Sequence, residues 1–492
     1  MKCQKNLQLF VKYFNTSQLG LQSYRHIYSA LRFWHYLSYI NIKYKILIVK
    51  NLLLYTICLL FTSLNVLAQE TWSVNECIRY ATENNLNHKN HELGLKNDKI
   101  EALQSKMNLL PSIFASTSGG MSYGRSVDNS TNSYTDTEHF SMNGRIGANL
   151  ALFQGFSKLN RIAYTRFRLQ SSEWNLINDA DDLAFDILNT YYNVVFYSGL
   201  VTIAQDQLEI SEYNLKKTQA QVQIGLQAKS DLLQMQAALE KEKLEIILAQ
   251  NKVEEVKFSL LEQMNYKLNN VQAFIIDYTV NTTPFALQAQ SDSLFITFKE
   301  KSPLLKKGEA ELNAAKKNVA IAKGNYMPSL SLNASLGTRY SDTSIDFDGD
   351  LISIDNQINN NLNKYVGATL SIPIFNRNQY RTRVKQAKIN HDVAQNAYEE
   401  KKQSLYFQIA NDARKLRALR IKYIQTEKKL EADNLAYKAA LKKYIEGLIN
   451  VIELLTVKDQ LSDSKSQLLL AKIQYEVKSR TIEFYKGNRF WE

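Results

Sequence analysis

Two groups of side chains have the types and spacing that could bind a metal ion. His88 and His91 are three positions apart, which places both imidazole rings on one face of a helix. Asp346, Asp348 and Asp350 lie two positions apart, which is the spacing of the first ligands in a calcium-binding loop. The histidines have no evident third ligand, and the aspartates lack the distant glutamate that completes such a loop. We therefore interpret them as a helix face and a solvated acidic loop, and we predict no metal site and no cofactor.

Two motifs of common enzyme classes are absent from the sequence. Its 492 residues contain no G-x-x-x-x-G-K-[ST] for phosphate binding and no H-E-x-x-H zinc motif. The sequence therefore predicts a protein that is not an enzyme and has no catalytic residues.

Glycine and proline, which interrupt helices and strands, are scarce in this chain. It has 17 Gly and 5 Pro, well below average usage of about 7% and 5%. This scarcity predicts long, uninterrupted elements. A mean hydropathy of -0.32 with 22% charged residues excludes both a disordered chain and a bundle of membrane-spanning helices.

Most of the net positive charge comes from the N-terminal end. The net charge is +12, but residues 1–68 contain eight Lys or Arg and no acid, which leaves +4 for the rest. A basic stretch of this kind is typical of a targeting segment. We therefore predict no nucleic-acid partner.

A signal peptide is predicted at residues 45–68. Basic residues up to Lys50 precede an apolar core from Leu52 to Leu64, and a small-residue cleavage site follows at residues 66–68. We interpret residues 1–44 as an N-terminal extension produced by a start codon assigned too early. The alternative is an uncleaved anchor, although the apolar core is shorter than the ~20 residues of a spanning helix.

The chain consists of two similar halves. ALFQGF, with Phe153, matches PIFNRN, with Phe375, and QIGLQAKSDLL around Gly225 matches IEGLINVIELL around Gly447, both at an offset of 222 in the numbering. Upstream, LLPS matches YMPS at an offset of 217. No proline lies between each Phe and each Gly, and a helix of that length extends roughly 108 Å. We therefore predict that each half forms a short helix, a β-hairpin, a long helix, a tight turn and a second short helix.

These patterns define the domain boundaries. The first repeat covers residues 69–265 with a hairpin at 112–153, and the second covers 291–487 with a hairpin at 329–375. Residues 266–290 join the repeats and contain an apolar stretch, FIIDYTV, that we interpret as a strand. Residues 488–492 form a C-terminal tail.

The hairpins have the clearest alternation of apolar and polar residues. Residues 329–340 place Leu330, Leu332, Ala334 and Leu336 on one face and serines and an asparagine on the other, and residues 140–152 and 365–373 show the same pattern. One apolar and one polar face favour a membrane β-barrel with lipid outside and water inside. The alternative is a soluble sandwich with one face in water.

The number of strands requires several chains. Four strands cannot close a barrel, because about eight is the smallest number that fills its own interior. Eight strands from two chains predict a packed interior, whereas twelve strands from three chains leave room for a channel.

The order of these motifs resembles the TolC-type outer-membrane efflux proteins. The resemblance rests on LLPS and YMPS before the hairpins, ALFQGF and IPIFN after them, and YIEGLINVIELL at the distal turn, and it covers about residues 70–487. It implies an α+β membrane protein in which three chains form a 12-stranded β-barrel continued by a periplasmic α-helical barrel.

The resemblance also implies a function and a location. The implied function is the outer-membrane exit channel of a tripartite efflux or type I secretion system, a passive conduit for small molecules or proteins. The implied partners are two further copies in a homotrimer, a periplasmic adaptor protein, an inner-membrane pump reached through that adaptor, and outer-membrane lipid. The implied location is the bacterial cell outer membrane, with a large periplasmic portion.

A gate at the periplasmic tip is the last implication of the resemblance. It involves the turns at Gly225 and Gly447, and Asp231 and Glu453, each six positions past its glycine, match acidic gate positions. Tyr444 matches a gate tyrosine.

The sequence departs from the family at two gate positions. Ile449 stands where an arginine is expected and Thr456 where a second aspartate is expected. Glu453 also has an alternative role, because Asn450 and Glu453 have the N-cap and N3 spacing of a capping arrangement.

Two other classes of protein remain as alternatives. A periplasmic adaptor-like coiled-coil protein needs only one helical hairpin, and the chain has two. A structural coiled coil anchored by Leu52 to Leu64 leaves the strand alternation unexplained.

Overall fold

The computed structural model describes residues 71–127, 132–136, 138–267, 274–278 and 290–491. The N-terminal extension and the predicted signal peptide lie outside these described residues. The described residues of the first repeat form four helices and five strands: β1 (Thr71–Trp72), α1 (Val74–Asn84), α2 (Leu86–Met107), β2 (Ser112–Ser122), β3 (Arg125–Val127), β4 (Tyr134–Asp136), β5 (His139–Gln154), α3 (Ser157–Gln223) and α4 (Lys229–Met264).

The second repeat follows the same order after a short strand. Its elements are β6 (Ile275–Ile276), α5 (Ser291–Lys299), α6 (Pro303–Gly324), β7 (Ser329–Ser341), α7 (Ile354–Asn360), β8 (Asn363–Ser371), α8 (Gln379–Ile445) and α9 (Val451–Tyr485). Strand β6, in the stretch interpreted as a strand, pairs in parallel with β1.

The boundaries of the elements confirm the internal repeat. Helices α3 and α8 each contain 67 residues, and both their first and their last residues are 222 positions apart. Helices α4 and α9 also begin 222 positions apart, and β2 and β7 begin 217 positions apart. The α+β class and the tandem order of elements therefore agree with the sequence prediction.

The short helix that precedes each hairpin is in fact two helices. Asn85 has an extended conformation between α1 and α2, and its side-chain oxygen accepts a hydrogen bond from the backbone N–H of His88 at 3.0 Å. In the second repeat Ser302 caps α6 and Pro303 occupies its first turn. A cap and a proline both start a new helix, so the prediction of one continuous segment was wrong at these points.

Four long strands form one antiparallel sheet in the order β2-β5-β7-β8. The register places Leu332 between Leu150 and Ala368, and Leu336 opposite Ile146, so the apolar residues of neighbouring strands lie on one face. The opposite face is polar except for Phe114 on β2 and Tyr365 on β8, and it is joined across strands by hydrogen bonds, including Arg145 to Ser335 at 3.1 Å. The alternation seen in the sequence is therefore aligned across the whole sheet.

The connections within the hairpins contain small elements that the alternation did not predict. The described residues of the first loop include the two-stranded β3–β4 ladder. The second loop contains α7, whose Gln357 side chain donates to the backbone oxygens of Ser341 and Ile352 at 2.8 and 2.7 Å. Both elements lie at the end of the sheet that is opposite the junctions with α2, α3, α6 and α8.

The two repeats contact each other closely where the sheet meets the helices. Gly155, with φ of 58°, follows β5, and a Cβ atom at this position would collide with the carbonyl oxygen of Gly324 at the end of α6. A Cβ atom at Gly324 would likewise collide with the carbonyl oxygen of Gly155. Glycine is required at both positions because two backbones touch there.

Among the described residues, the sheet and the helical layer each have two edges that no further strand or helix covers. In the sheet these are β2 and β8. Beside the sheet the helices lie in the order α2-α3-α6-α8, and towards the turns in the order α4-α3-α9-α8. One side of the chain is therefore formed by β2, α2 and α4, and the other by β8 and α8.

Candidate functional site

The turns predicted at the tip are tight and depend on glycine. Gly225 and Gly447 have φ of 78° and 73°, in the left-handed region. Next to them the N–H of Leu226 donates to the carbonyl of Gln221 at 2.8 Å, and the equivalent bond after Gly447 is 2.9 Å. These are the bonds of a Schellman motif, which ends a helix with glycine in a left-handed conformation.

The two predicted acids lie in the first turn of the helix that follows each glycine. Asp231 contacts Ser230 through a hydrogen bond of 3.4 Å. The backbone N–H of Glu453 donates to the side-chain oxygen of Asn450 at 2.9 Å, and the Asn450 amide donates back to the Glu453 carboxylate at 3.2 Å. Glu453 therefore makes the capping contacts expected from its spacing, and its side chain is exposed.

Tyr444 is buried between the two helical hairpins, with 1% exposure. The Thr218 hydroxyl donates to the carbonyl of Asn214, so Tyr444 is the donor in the 2.8 Å bond between its hydroxyl and Thr218. Burial raises the pKa of Tyr444 above its usual value, and the negative charge of Asp231 raises it further. Tyr444 thus joins α8 to α3 as a neutral phenol.

The positions where the sequence departs from the family have local roles. Ile449 packs against the apolar cluster that contains Tyr444 and Leu454. The Thr456 hydroxyl donates to the carbonyl of Ile452 at 2.8 Å, within its own helix.

A row of buried polar side chains on α3 faces the second hairpin. Its members recur every three or four positions: Gln207, Ser211, Asn214, Thr218 and, partly buried, Gln221. Tyr437 accepts from the Asn214 amide at 3.2 Å, and the Gln221 amide donates to the carbonyl of Ile445 at 3.0 Å. Polar contacts therefore hold much of the interface between the hairpins.

One member of this row contacts a buried ion pair. The Lys458 ammonium on α9 lies 2.5 Å from the Glu242 carboxylate on α4 and donates to the Ser211 hydroxyl at 2.7 Å. The side chains of Lys458 and Glu242 are only 1% and 9% exposed. A buried charge that loses its partner is strongly destabilising, so this pair fixes α4 and α9 relative to each other.

The sequence predicted the turns at Gly225 and Gly447 but not the contacts between the hairpins. Thr218, Ser211, Glu242 and Lys458 were not selected, because their partners lie in the other half of the chain. The available signal was the heptad-like spacing of polar residues from Gln207 to Gln221 on a long helix.

The two histidines contact a carboxylate from a neighbouring helix. On α3, Oδ2 of Asp179 lies 2.6 Å from Nδ1 of His88, and Oδ1 lies 3.3 Å from Nε2 of His91. Among the residues the structure describes, no group of three or more His, Cys, Asp or Glu side chains is suited to hold a metal ion. No helix within the described ranges is long and apolar enough to cross a membrane.

The chain is similar to curated efflux proteins over part of its length. It is 27% identical over 187 residues to a solvent efflux pump outer membrane protein, SrpC, of Pseudomonas putida. The same values hold for a toluene efflux pump outer membrane protein, TtgI, from a strain of the same species. The matched part covers 38% of this chain and 37% of each relative.

Solved structures share the fold over most of the chain. The Campylobacter jejuni CmeC outer membrane channel superimposes with a TM-score of 0.74 at 17% identity, covering 85% of this chain and 86% of CmeC. The Vibrio cholerae outer membrane protein VceC gives 0.73 at 14% identity, covering 85% of this chain and 96% of VceC.

Family assignment rests on the sequence pattern of the outer membrane efflux proteins. This pattern matches residues 78–263 and 297–488, which cover most of both repeats and include both turns. The predicted resemblance is therefore confirmed, and the outer membrane is the location of this protein. The chain belongs to the outer membrane efflux protein family.

Proposed function

We propose that three copies of this chain close into one channel through the outer membrane and the periplasm, and that the channel is the exit duct of an efflux or secretion system. The observation that carries this proposal is the pair of open edges. Strand β2 and helices α2 and α4 lie on one side, and β8 and α8 on the other. A ring of copies pairs each open edge with its opposite and leaves no edge strand free.

The faces of the sheet support the same arrangement. Val366 and Leu370 on the apolar face are 81% and 61% exposed in the single chain. Twelve strands from three copies make a barrel with this face towards lipid and the polar face around a water-filled interior. Conduction through such a channel is passive.

The turns support a periplasmic adaptor as partner. Leu226 and Leu448, next to the two glycines, are 70% and 68% exposed, and Ile224 is 71% exposed. Exposed apolar side chains at the end of a polar helical hairpin favour a protein contact. We propose that an adaptor binds there and connects the channel to an inner-membrane pump. Relatives named for solvent and toluene efflux favour small organic molecules over proteins as cargo.

The proposed assembly is tested by mass and by conductance. We expect the mature protein in detergent to have the mass of three chains by light scattering, and to form discrete channels in planar bilayers. A stable detergent-solubilised monomer contradicts the proposal.

We propose that the turns also form the closed gate. Threefold symmetry places three Asp231 and three Glu453 carboxylates around the mouth, which favours cations. Asp231→Ala with Glu453→Ala is expected to lower cation selectivity, and Tyr444→Phe, which removes the bond to Thr218, is expected to raise single-channel conductance.

A capping role predicts a different outcome for the acids. Loss of a helix cap typically lowers stability by about 1 kcal/mol. If the acid variants change the thermal midpoint and leave selectivity unchanged, Asp231 and Glu453 are only structural.

A further inference from the structure

The outer helices α4 and α8 differ in the sign of their net charge. Helix α8 contains 16 Lys or Arg against 7 Asp or Glu, whereas α4 contains 5 against 7. These two helices form the open edges of the helical layer towards the turns. Their charge is therefore available to a partner on each side of the chain.

On α8 the exposed face alternates between apolar and basic residues. Every seventh residue from Phe407 lies on this face, giving Phe407, Arg414, Ile421, Lys428 and Leu435 in order. The three apolar members are 67%, 62% and 61% exposed. Arg417, one turn from Arg414, adds a further base to what we call the basic stripe.

On α4 the exposed face alternates between apolar and acidic residues. Leu233, Glu240, Ile247 and Glu254 follow each other at heptad spacing, and Glu255 lies beside the last of them. Leu233 and Ile247 are 58% and 53% exposed. We call this face the acidic stripe.

The principal charges of both stripes lack strong partners within the chain. In the part of the chain that the structure describes, Arg414, Arg417, Lys428 and Glu254 form no ion pair. Glu240 and Glu255 pair only with Lys243 and Lys252 on their own exposed surface, at 2.7 and 2.6 Å. Such exposed pairs contribute little, so these charges remain available to another molecule.

The charges also lie at matching distances from the turns. Glu254 and Glu255 follow Gly225, and Arg414 and Arg417 precede Gly447, by a similar length of helix. At about 1.5 Å per residue, this length places all four charges roughly 44 to 50 Å from their turn. The 2.8 Å bond between Thr218 and Tyr444 places the two turns at similar heights.

We propose that the acidic stripe of α4 binds the basic stripe of α8 on a second copy of this chain. This inference rests on the proposed trimer and names the surface that selects its register. Apolar residues of the two stripes pack together, and the glutamates meet arginines at the same height. If one copy shifts along the other by about seven residues, the charged residues of each stripe lie against apolar residues of the other. The alternation therefore specifies one register.

The proposed contact is heterologous, because it joins two different surfaces of the chain, and this property determines which variants test it. Each copy uses α4 towards one neighbour and α8 towards the other, so a charge change on one helix is compensated only by a change on the other helix. Arg414→Glu with Arg417→Glu is expected to cause loss of most of the trimer in detergent. Glu254→Lys with Glu255→Lys is expected to do the same, and the fourfold combination is expected to restore it.

A matched control distinguishes loss of the α4–α8 contact from a general effect of the changed net charge. Lys415 and Lys422 are exposed on the same helix but lie away from the stripe, and Lys422 donates to Gln474 on α9 at 3.3 Å. Lys415→Glu with Lys422→Glu makes the same change of charge and is expected to retain the trimer. Equal loss in this control contradicts the inference.

Cross-linking gives a second measurement that does not depend on stability. Cys77 is buried, and no other free cysteine lies in the described ranges. A thiol cross-linker is expected to join Glu255→Cys/Arg417→Cys chains into dimers and closed trimers, but neither single variant. If the wild-type protein is a trimer, but the cysteine variant does not cross-link and the fourfold variant does not restore the trimer, the α4–α8 contact alone is wrong. If the wild-type protein is a monomer, the proposed function is wrong.

Discussion

The ion pair between Lys458 and Glu242 gives the most specific prediction of stability. Lys458→Met removes the ammonium and leaves the Glu242 carboxylate, which is only 9% exposed, without its cation. Removing one partner of a buried pair costs about 3 to 5 kcal/mol, because the remaining charge has no compensation. Replacing both partners, as in Lys458→Met/Glu242→Leu, is expected to be close to neutral, since no charge then remains buried.

Hydrogen exchange of the backbone amides in α4 and α9 measures this effect locally. We expect Lys458→Met to speed exchange there by a factor of about 200 to 5,000, the equivalent of about 3 to 5 kcal/mol, and the double variant to restore much of the protection.

An exposed pair between the hairpins provides the matched control. Lys465 on α9 pairs with Asp206 on α3 at 2.9 Å, but their side chains are 26% and 52% exposed. Lys465→Met is expected to cost less than about 1 kcal/mol. The reasoning is refuted if Lys458→Met costs no more than Lys465→Met, or if the double variant is as unstable as Lys458→Met alone.

Three further predictions concern the sheet, the turns and the pH dependence. Leu332→Arg on the apolar face is expected to cost about 2 to 4 kcal/mol near the bilayer midplane, whereas Ser331→Arg costs little; trimer yield distinguishes them. Gly447→Ala, at φ of 73°, is expected to lower the thermal midpoint, whereas Gly94→Ala, within α2, raises it slightly. Burial raises the pKa of Tyr192 to about 12, so stability is expected to fall between about pH 10 and 12, where only the unfolded chain releases this proton; Tyr192→Phe should reduce this fall in pH-dependent unfolding.

Local patterns were sufficient to predict most elements of the fold. The constant offset between the repeats predicted α3 and α8 to the same length, because glycine ends both helices and no proline interrupts them. The breaks at Asn85 and Ser302 were missed, although both residues are good N-caps.

The contacts at the candidate site were less predictable. The turn at Gly447 and the Asn450–Glu453 cap depend on neighbours in sequence and could be inferred. The bond from Tyr444 to Thr218 and the pairing of Lys458 with Glu242 depend on how two hairpins pack. The sequence of a helix indicates which of its residues lie on one face, but it does not indicate which residues of another helix contact that face.

The equal lengths of α3 and α8 have a consequence for how such a protein can change during evolution. An insertion in α3 alone displaces Gly225 and breaks the contacts that join the two hairpins, such as Thr218 with Tyr444. A longer or shorter descendant therefore needs the same change in α3, α4, α8 and α9, in steps of about seven residues that keep every side chain on its face. Substitutions can accumulate one at a time along these helices, whereas their length can change only in all four together.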